Sequence, residues 1–279
     1  MKFLQWNIQW CRGMDGKVDP ARIARAAKEM CDPDVCCFQE VAINYADLDA
    51  GHDQPAELAR HFPGYSVHFA PVVDTPDDSG KTAGRRQQFG NLILSRLPVR
   101  QLFRHTLPWP AEAGVPNMPR VAVEAVIEAS WGLVGVTTTH LEFFSSAQRA
   151  AQVARLIELK AEAIGHSKAL SGTKPKDTGP FAPFPRPAGS ILTGDFNMHP
   201  DDPLVGELQR HWQDAWRIAN PGRVQPPTFG VFDNEFTSEP YACDFVFVSD
   251  DLAPKIASVR VDAETKASDH QPVIVEFRP

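Results

Sequence analysis

Asp195 and Asn197 stand two residues apart in "SILTGDFNMHP" (residues 190–200), where an apolar run ends between a glycine and a His-Pro. Side chains at i and i+2 share one face of a strand. A carboxylate and a carboxamide can therefore address one point while Phe196 turns into the core. Such a pair suits an attacking water, an anionic substrate or a hard metal ion; a loop of Asx turns accounts for it equally well. Other strand-like runs also end on polar residues. Asn7 follows "FLQW", Gln39 and Glu40 follow "VCCF", and "TTTHLE" carries His140 and Glu142. Asp244 heads a strand in "YACDFVFVS", and Asp269-His270 precede the last strand in "ASDHQPVIVEF". Singly, each has a plain structural account: His140 a hydrogen-bonded core histidine, Glu40 a surface carboxylate, Asp244 a turn residue, Asp269 a loop cap.

Together these types fit phosphoester hydrolysis. Hard divalent ions such as magnesium take oxygen ligands, usually one or two carboxylates with waters and substrate phosphate. Glu40 and Asp269 supply carboxylates and Asn7 a neutral oxygen. Asp195 can accept a proton from water. Asn197, His140 and His270 can donate to phosphate oxygens, and Asp244 can orient a histidine and favour its protonation. Other motifs fail. "SGKT" (residues 79–82) lacks the first glycine of a phosphate-binding loop, since Thr75 stands there. No H-E-x-x-H and no G-x-S-x-G occurs.

The elements that must position these residues are mostly strands. Strands are expected over residues 2–8, 34–40, 65–70, 90–99, 190–195, 242–249, 256–261 and 271–277. A hairpin is expected over residues 119–142, turning near Ser130-Trp131-Gly132. Asp19-Pro20 opens a helix as cap and first residue, and residues 55–62 and 145–164 read as helices. Residues 73–88 read as an exposed loop, and about 168–189 as a Pro/Gly-rich loop. Many strands with few helices predict sheets packed on each other and covered outside by helices, in one domain over residues 1–279.

Bulk properties limit the partners. The formal charge is −7, with 28 Lys and Arg against 35 Asp and Glu. That argues against a protein held on long duplexes by phosphate neutralisation, although a basic patch can sit on an acidic body. Five cysteines, two of them the adjacent Cys36 and Cys37, do not form a disulfide framework. The N-terminus turns polar too early for a signal peptide, and no apolar run has the length of a membrane span. A soluble, cytoplasmic monomer is expected.

The order of the motifs — Asn7, "QE", "GNLILSR", "THLE", "GDFN", "SDHQPV" — resembles the endonuclease/exonuclease/phosphatase superfamily, from residue 3 to 277. The resemblance implies an α/β, DNase I-like, four-layer sandwich of two packed mixed β-sheets flanked by helices. It implies Glu40 as the main metal ligand with Asn7 beside it, and Asp269 near the metal. Asp195 would orient and deprotonate the water, Asn197 would hold the phosphate, and His140 would occupy a position that carries His or Tyr in this group. Asp244 and His270 would form a pair in which His270 meets the scissile phosphate. Gln9 departs from the pattern, since apurinic endonucleases carry an aspartate there. "SAQRAAQ" after "THLEFFS" resembles the tyrosyl-DNA phosphodiesterase branch, and the Pro-rich loop matches no branch.

The expected function is a magnesium- or manganese-dependent phosphodiesterase that uses water attack, with nucleic acid as first substrate. Lys81, Arg85 and Arg86 form a basic loop before "FGN", and with Asn91 and Asn197 they are the expected substrate contacts. Phe229, Phe232, Phe236, Phe143 and Phe144 could stack bases, most of them being expected to pack under their own loops. A phospholipid head group, an inositol phosphate or another small phosphate ester is the alternative substrate. A non-catalytic binding protein on the same fold is the alternative class.

Overall fold

The computed structural model describes residues 1–45, 48, 51–77, 84–170, 182, 184–233 and 235–279. Along the chain come β1 (Lys2–Asn7), α1 (Pro20–Met30), β2 (Val35–Ile43), α2 (Gln54–His61), β3 (Ser66–Pro76) and β4 (Arg86–Ser95). Next are β5 (Val99–Thr106), the hairpin β6 (Val121–Ala129) and β7 (Gly132–His140), and α3 (Ser146–Leu170). The chain continues through β8 (Ser190–Asp195), α4 (Pro203–Gln209), β9 (Gln213–Asp214) and α5 (Ala215–Ala219). It closes with β10 (Asp244–Val248), β11 (Ile256–Val261) and β12 (Val273–Phe277).

Two six-stranded sheets result, ordered β11-β12-β1-β2-β4-β3 and β5-β6-β7-β8-β10-β9. Each contains one parallel pair, β1–β2 in the first and β7–β8 in the second; its other pairings are antiparallel. Period-two alternation sorts the side chains between faces. Leu4, Trp6 and Ile8 pack with Ile23, Ala27 and Leu58 of α1 and α2. Leu192, Phe245 and Phe247 pack with Val153, Leu156 and Leu208 beneath α3 and α4. Phe3, Val35, Val136, Ile191 and Val246 form part of the core between the sheets. The layers are therefore helix, sheet, sheet, helix, the expected DNase I-like α/β sandwich.

The inner face changes character along the strands. Phe3 is followed on the same face by Gln5 and then Asn7, and Val136 by Thr138 and then His140. In the middle, Gln5 and Gln39 pair through their amides, with Gln39 Nε2 donating to Gln5 Oε1 at 3.0 Å and to Thr138 Oγ1 at 2.7 Å. Thr193 Oγ1 donates to Gln5 Oε1 at 3.3 Å. Buried polar groups tie the sheets together because each finds a partner. Beyond them lie the strand ends of the two parallel pairs.

Several expectations need correction. Residues 73–88 are not simply a loop, because β3 runs to Pro76 and β4 begins at Arg86. These arms extend past the core, so their sequence lacks a buried face. "SGKT" and Lys81 lie outside the described residues. The strand expected over 90–99 stops at Ser95, and β5, α4 and α5 were not foreseen. Each of the last three is short or carries polar residues on much of its surface. The helix expected to end at residue 164 continues to Leu170, which takes residues 168–170 from the expected Pro/Gly-rich loop. Residues 171–181 and 183 of that loop lie outside the described residues. The Asp19 cap is in place, accepting from Arg22 N at 3.0 Å. All five cysteines are buried and none forms a disulfide among the described residues, where no helix is long and apolar enough to cross a membrane.

Candidate active site

The two parallel strand pairs deliver their ends to one cavity. Asn7 and Glu40 come from β1 and β2, and His140 and Asp195 from β7 and β8, where the latter two are register partners. Asp195 reaches the inner face by simple alternation after Ile191 and Thr193. Gly194 is required just before it: its φ is +149°, and a Cβ would lie 1.9 Å from Thr139 O.

Glu40 does not follow alternation. Val35, Cys37 and Gln39 face inward, so Glu40 would point to the helices beside Phe38. A bulge opposite β4 lies between Phe38 and Val41, and Glu40 takes φ +56°. That left-handed residue turns its carboxylate back to the site, where Oε1 accepts from Asn7 Nδ2 at 3.0 Å. A second irregularity, between Pro71 and Val73, falls on the same stretch of β4. Gly90 sits at this crossing, and a Cβ there would meet Ala70 O at 2.1 Å. Bulges of this kind re-aim side chains near functional sites.

Asp195 is the hub. Its Oδ2 accepts from Asn7 Nδ2 at 3.0 Å, and its Oδ1 accepts from Asn197 N at 3.0 Å. His140 Nε2 lies 3.5 Å and His270 Nε2 3.6 Å from Oδ2. Asn197 has φ +51°, and its Nδ2 donates to Leu141 O at 2.8 Å. Phe196 is fully buried behind the pair. Asp244 Oδ2 is 2.9 Å from His270 Nδ1. Gln5 Nε2 donates to the other Asp244 oxygen at 3.3 Å, and Phe229 stacks on the His270 ring with centroids 4.6 Å apart. Asn7 offers its nitrogen to the two carboxylates, while its oxygen accepts from Gln9 N at 3.1 Å.

Burial and neighbouring charge divide the two histidines. Burial lowers the His140 pKa to about 3, and the charge of Arg120 adds to this, so the ring is neutral at pH 7. Burial works in the same direction on His270, but the charges of Asp244 and Asp195 overcome it and hold the pKa well above the ordinary value. His270 is therefore an imidazolium. The Glu40 carboxyl is pushed up to about 7, first by burial and then by the Asp269 charge. Asp269 is raised too, chiefly by burial.

This donor set fits a hard divalent cation. Glu40, Asp195 and Asp269 bring three buried or half-buried carboxylates to one cavity. Ligand atoms of Glu40, His140 and Asp195 lie within 4.8 Å of one another. The upward shift of Glu40 is the electrostatic deficit that a cation would relieve.

The cavity has a volume of about 260 Å³, and Glu40, His140, Asp195, Asn197, Asp269 and His270 line it. Arg120 also lines it and was not singled out from the sequence. It is buried, its Nε donates to Glu142 Oε2 at 3.3 Å, and its Nη1 has no hydrogen-bond partner. Its only sequence signal is an arginine opening an apolar strand in "NMPRVAV". Asn91 is not on this cavity. Its Nδ2 donates to Val121 O at 2.9 Å, pinning β4 to β6. Arg85 and Arg86 lie at the exposed start of β4, away from the cavity, and Arg86 Nε pairs with Asp74 at 2.5 Å. Phe232 lines a different cleft with Lys266 and Arg22. The Gln and Arg of "SAQRAAQ" hold the turn after β7: Gln152 accepts from Glu142 N, and Arg149 donates to Glu142 O and Phe143 O.

A profile of the Endonuclease/Exonuclease/phosphatase family matches residues 4–270. No protein of curated function matches. Among solved structures, an endonuclease/exonuclease/phosphatase from Beutenbergia cavernae DSM 12333 superposes with a TM-score of 0.71 at 24% identity, over 100% of this chain and 71% of the other. Truncated TDP2 from Caenorhabditis elegans gives 0.66 at 19% identity, over 100% and 97%. A mannosyl-6-phosphatase from Bacteroides thetaiotaomicron gives 0.63 at 18% identity, over 99% of both chains.

Proposed function

The chain belongs to the endonuclease/exonuclease/phosphatase family, and on that premise we propose that it hydrolyses phosphodiesters with a divalent metal ion, magnesium or manganese. The observation that carries this reading is the convergence on Asp195. One carboxylate is fixed on both oxygens, between a neutral and a protonated histidine, beside two further carboxylates.

Glu40 and Asp269 would hold the cation, with Asp195 close by. When bound, it supplies Lewis acidity toward the phosphoryl oxygens. Asp195 accepts the proton of the attacking water; Asn7 and Asn197 N keep its lone pairs aimed. His270, charged by its bond to Asp244, donates from Nε2 to a phosphoryl oxygen. Neutral His140 donates from one ring nitrogen, and Asn197 contributes its amide. Arg120, paired with Glu142, brings Nη1 to the cavity as a spare donor for the phosphate. Charge set in advance in a largely dry site stabilises charge that develops in the reaction.

Nucleic acid is the substrate we propose first. The hairpin end with Arg85 and Arg86 gives a backbone phosphate a contact outside the cavity, while the net charge of −7 supports a short contact rather than a track along a duplex. The test is turnover of bis-p-nitrophenyl phosphate and its monoester with magnesium, manganese or a chelator. Oligonucleotides, a sphingomyelin, an inositol phosphate and a sugar phosphate are then compared. Metal-dependent cleavage of the diester is expected. Its absence on every ester would leave a binding protein, and turnover of the lipid or sugar esters alone would remove nucleic acid.

A further inference from the structure

Behind the candidate active site lies a thiol that the proposed reaction does not use. Cys243 immediately precedes β10 and is fully buried. Its Sγ donates to Asp244 Oδ2 at 3.5 Å and lies 3.8 Å from Thr228 Oγ1. Neither neighbour depends on it. The Asp244 carboxylate is already held by His270 Nδ1 at 2.9 Å and Gln5 Nε2 at 3.3 Å. Thr228 Oγ1 accepts from the backbone N of Cys243 at 3.0 Å and of Asp244 at 3.1 Å. A buried thiol packs as a small apolar group with a weak donor. What sulfur adds at this place is affinity for soft cations.

The surroundings hold the rest of a coordination set. Ligand atoms of Asp195, Cys243 and His270 all lie within 4.8 Å of one another. Zinc bonds of about 2.0–2.3 Å put neighbouring tetrahedral ligands roughly 3.5 Å apart, so the set closes by side-chain adjustments of about 1 Å. Asp195 and His270 line the cavity, which gives an ion its way in and leaves room for water as a further ligand.

The set is also oriented from outside. A ligating histidine usually donates its other ring N–H to a carboxylate, which fixes the ring and strengthens it as a ligand. His270 meets that condition: Nδ1 faces Asp244, while Nε2 faces Asp195 Oδ2 at 3.6 Å. Phe229, stacked on the ring at 4.6 Å, holds it in that plane. Thiolate and imidazole suit zinc, whereas magnesium takes oxygen ligands. The two kinds of ion are thereby sorted, magnesium toward Glu40 and Asp269 and zinc toward Cys243.

We propose that Asp195, Cys243 and His270 form an inhibitory zinc site, separate from the magnesium site. Binding expels the thiol proton of Cys243 and the Nε2 proton of His270 to solvent. Asp195 can then no longer accept a proton from water, and His270 can no longer donate to a phosphoryl oxygen. The inhibition rests on the phosphodiesterase reading above; the binding does not.

The experiment uses the whole chain with magnesium present, as wild type and as Cys243→Ser, which keeps a hydroxyl for Asp244 and Thr228 and removes the sulfur. Cadmium is titrated as a spectroscopic stand-in, and zinc is titrated into the bis-p-nitrophenyl phosphate assay. In wild type, an ultraviolet thiolate-to-cadmium charge-transfer band should saturate at a single equivalent. Zinc should lower kcat; excess magnesium should not restore it, and a chelator followed by fresh magnesium should. In Cys243→Ser the band should vanish while magnesium-dependent turnover and the melting transition stay near wild type. Half-inhibition should then need at least about a hundredfold more zinc, since losing even an outer-shell partner costs about 10–100-fold in metal affinity. Cys243→Ala repeats the comparison if the buried hydroxyl disturbs the fold. No band in wild type, or a band that survives in both variants, would overturn the site. Equal zinc sensitivity of wild type and variants would place the ion on Glu40, His140 and Asp195 and overturn it as well. A band lost with the sulfur, in a protein that cleaves no ester, would support the zinc site and remove the phosphodiesterase reading.

Discussion

Asp244 and His270 share a hydrogen bond of 2.9 Å between Oδ2 and Nδ1, with both side chains buried. The bond does two things at once. It fixes the ring orientation, and it supplies the negative charge that keeps the ring protonated against burial.

Asp244→Asn should therefore release the His270 proton. In wild type the ring should show no titration across about pH 5 to 8. In the variant its pKa should drop into or below that range, and kcat should fall on the alkaline side. Histidine NMR titration reads this directly, and an unmoved His270 would contradict it.

Glu40→Gln should abolish metal-stimulated turnover, because an amide is a poor ligand for a hard cation. The same change should stabilise the metal-free protein at pH 8 by about 1–3 kcal/mol, since it removes a charge the fold disfavours. Near-wild-type activity at low magnesium would rule out Glu40 as a ligand.

The Glu40 pKa gives a pH window. It rises from 4.5 to about 7 on folding, so its contribution to stability is present below pH 4.5 and is lost as pH rises through 7. Metal-free protein should lose melting temperature over that interval. Magnesium should restore more of it at pH 8 than at pH 5, since the cation competes with the proton. A magnesium-induced shift independent of pH would count against the Glu40–Asp269 site.

Asp195→Asn should lower kcat at least about a hundredfold, through loss of proton acceptance. Asn has one oxygen where Asp195 uses both, so it keeps only one of the bonds from Asn7 and Asn197, and stability should fall by about 1–2 kcal/mol. Single-turnover kinetics at saturating substrate separate this from a binding defect; retained kcat would remove Asp195 from the role.

Arg120 and Glu142 should be removed together, because either alone leaves a buried charge without its partner. In Arg120→Gln/Glu142→Gln, the His140 pKa should rise from about 3 toward its ordinary value, as the neighbouring positive charge is gone. The kcat/KM should fall about tenfold. NMR titration of His140 and steady-state kinetics test the two effects separately.

Much of this was legible in the sequence because most site residues obey period-two alternation from an apolar strand. Asn7, His140, Asp195 and Asp244 each sit on the same face as an inward apolar residue. Glu40 breaks that rule. Its parity assigns it to the helix side, and only a bulge with φ +56° brings it to the cavity. The pattern around "FGN" could not reveal this, since a bulge depends on the pairing of two distant strands. Arg120 was hidden because one arginine before an apolar strand looks like any strand start. Asn91 misled for the opposite reason: its place in "GNLILSR", after the basic loop, suggested a substrate contact, yet the sheets close around it and use its amide to hold each other. The arms of the β3–β4 hairpin looked like loop because nothing covers them.

The interleaved Gln5, Gln39, Thr138 and Thr193 network makes the candidate active site a composite of two halves. Neither sheet alone carries both Glu40 and Asp195. If the proposed activity holds, turnover should be a gauge of sheet docking, finer than circular dichroism, which counts strands whether or not they meet. A partly unfolded form with both sheets intact but separated by the width of one water layer would keep its spectrum and lose its chemistry, and heating should inactivate the protein before it melts.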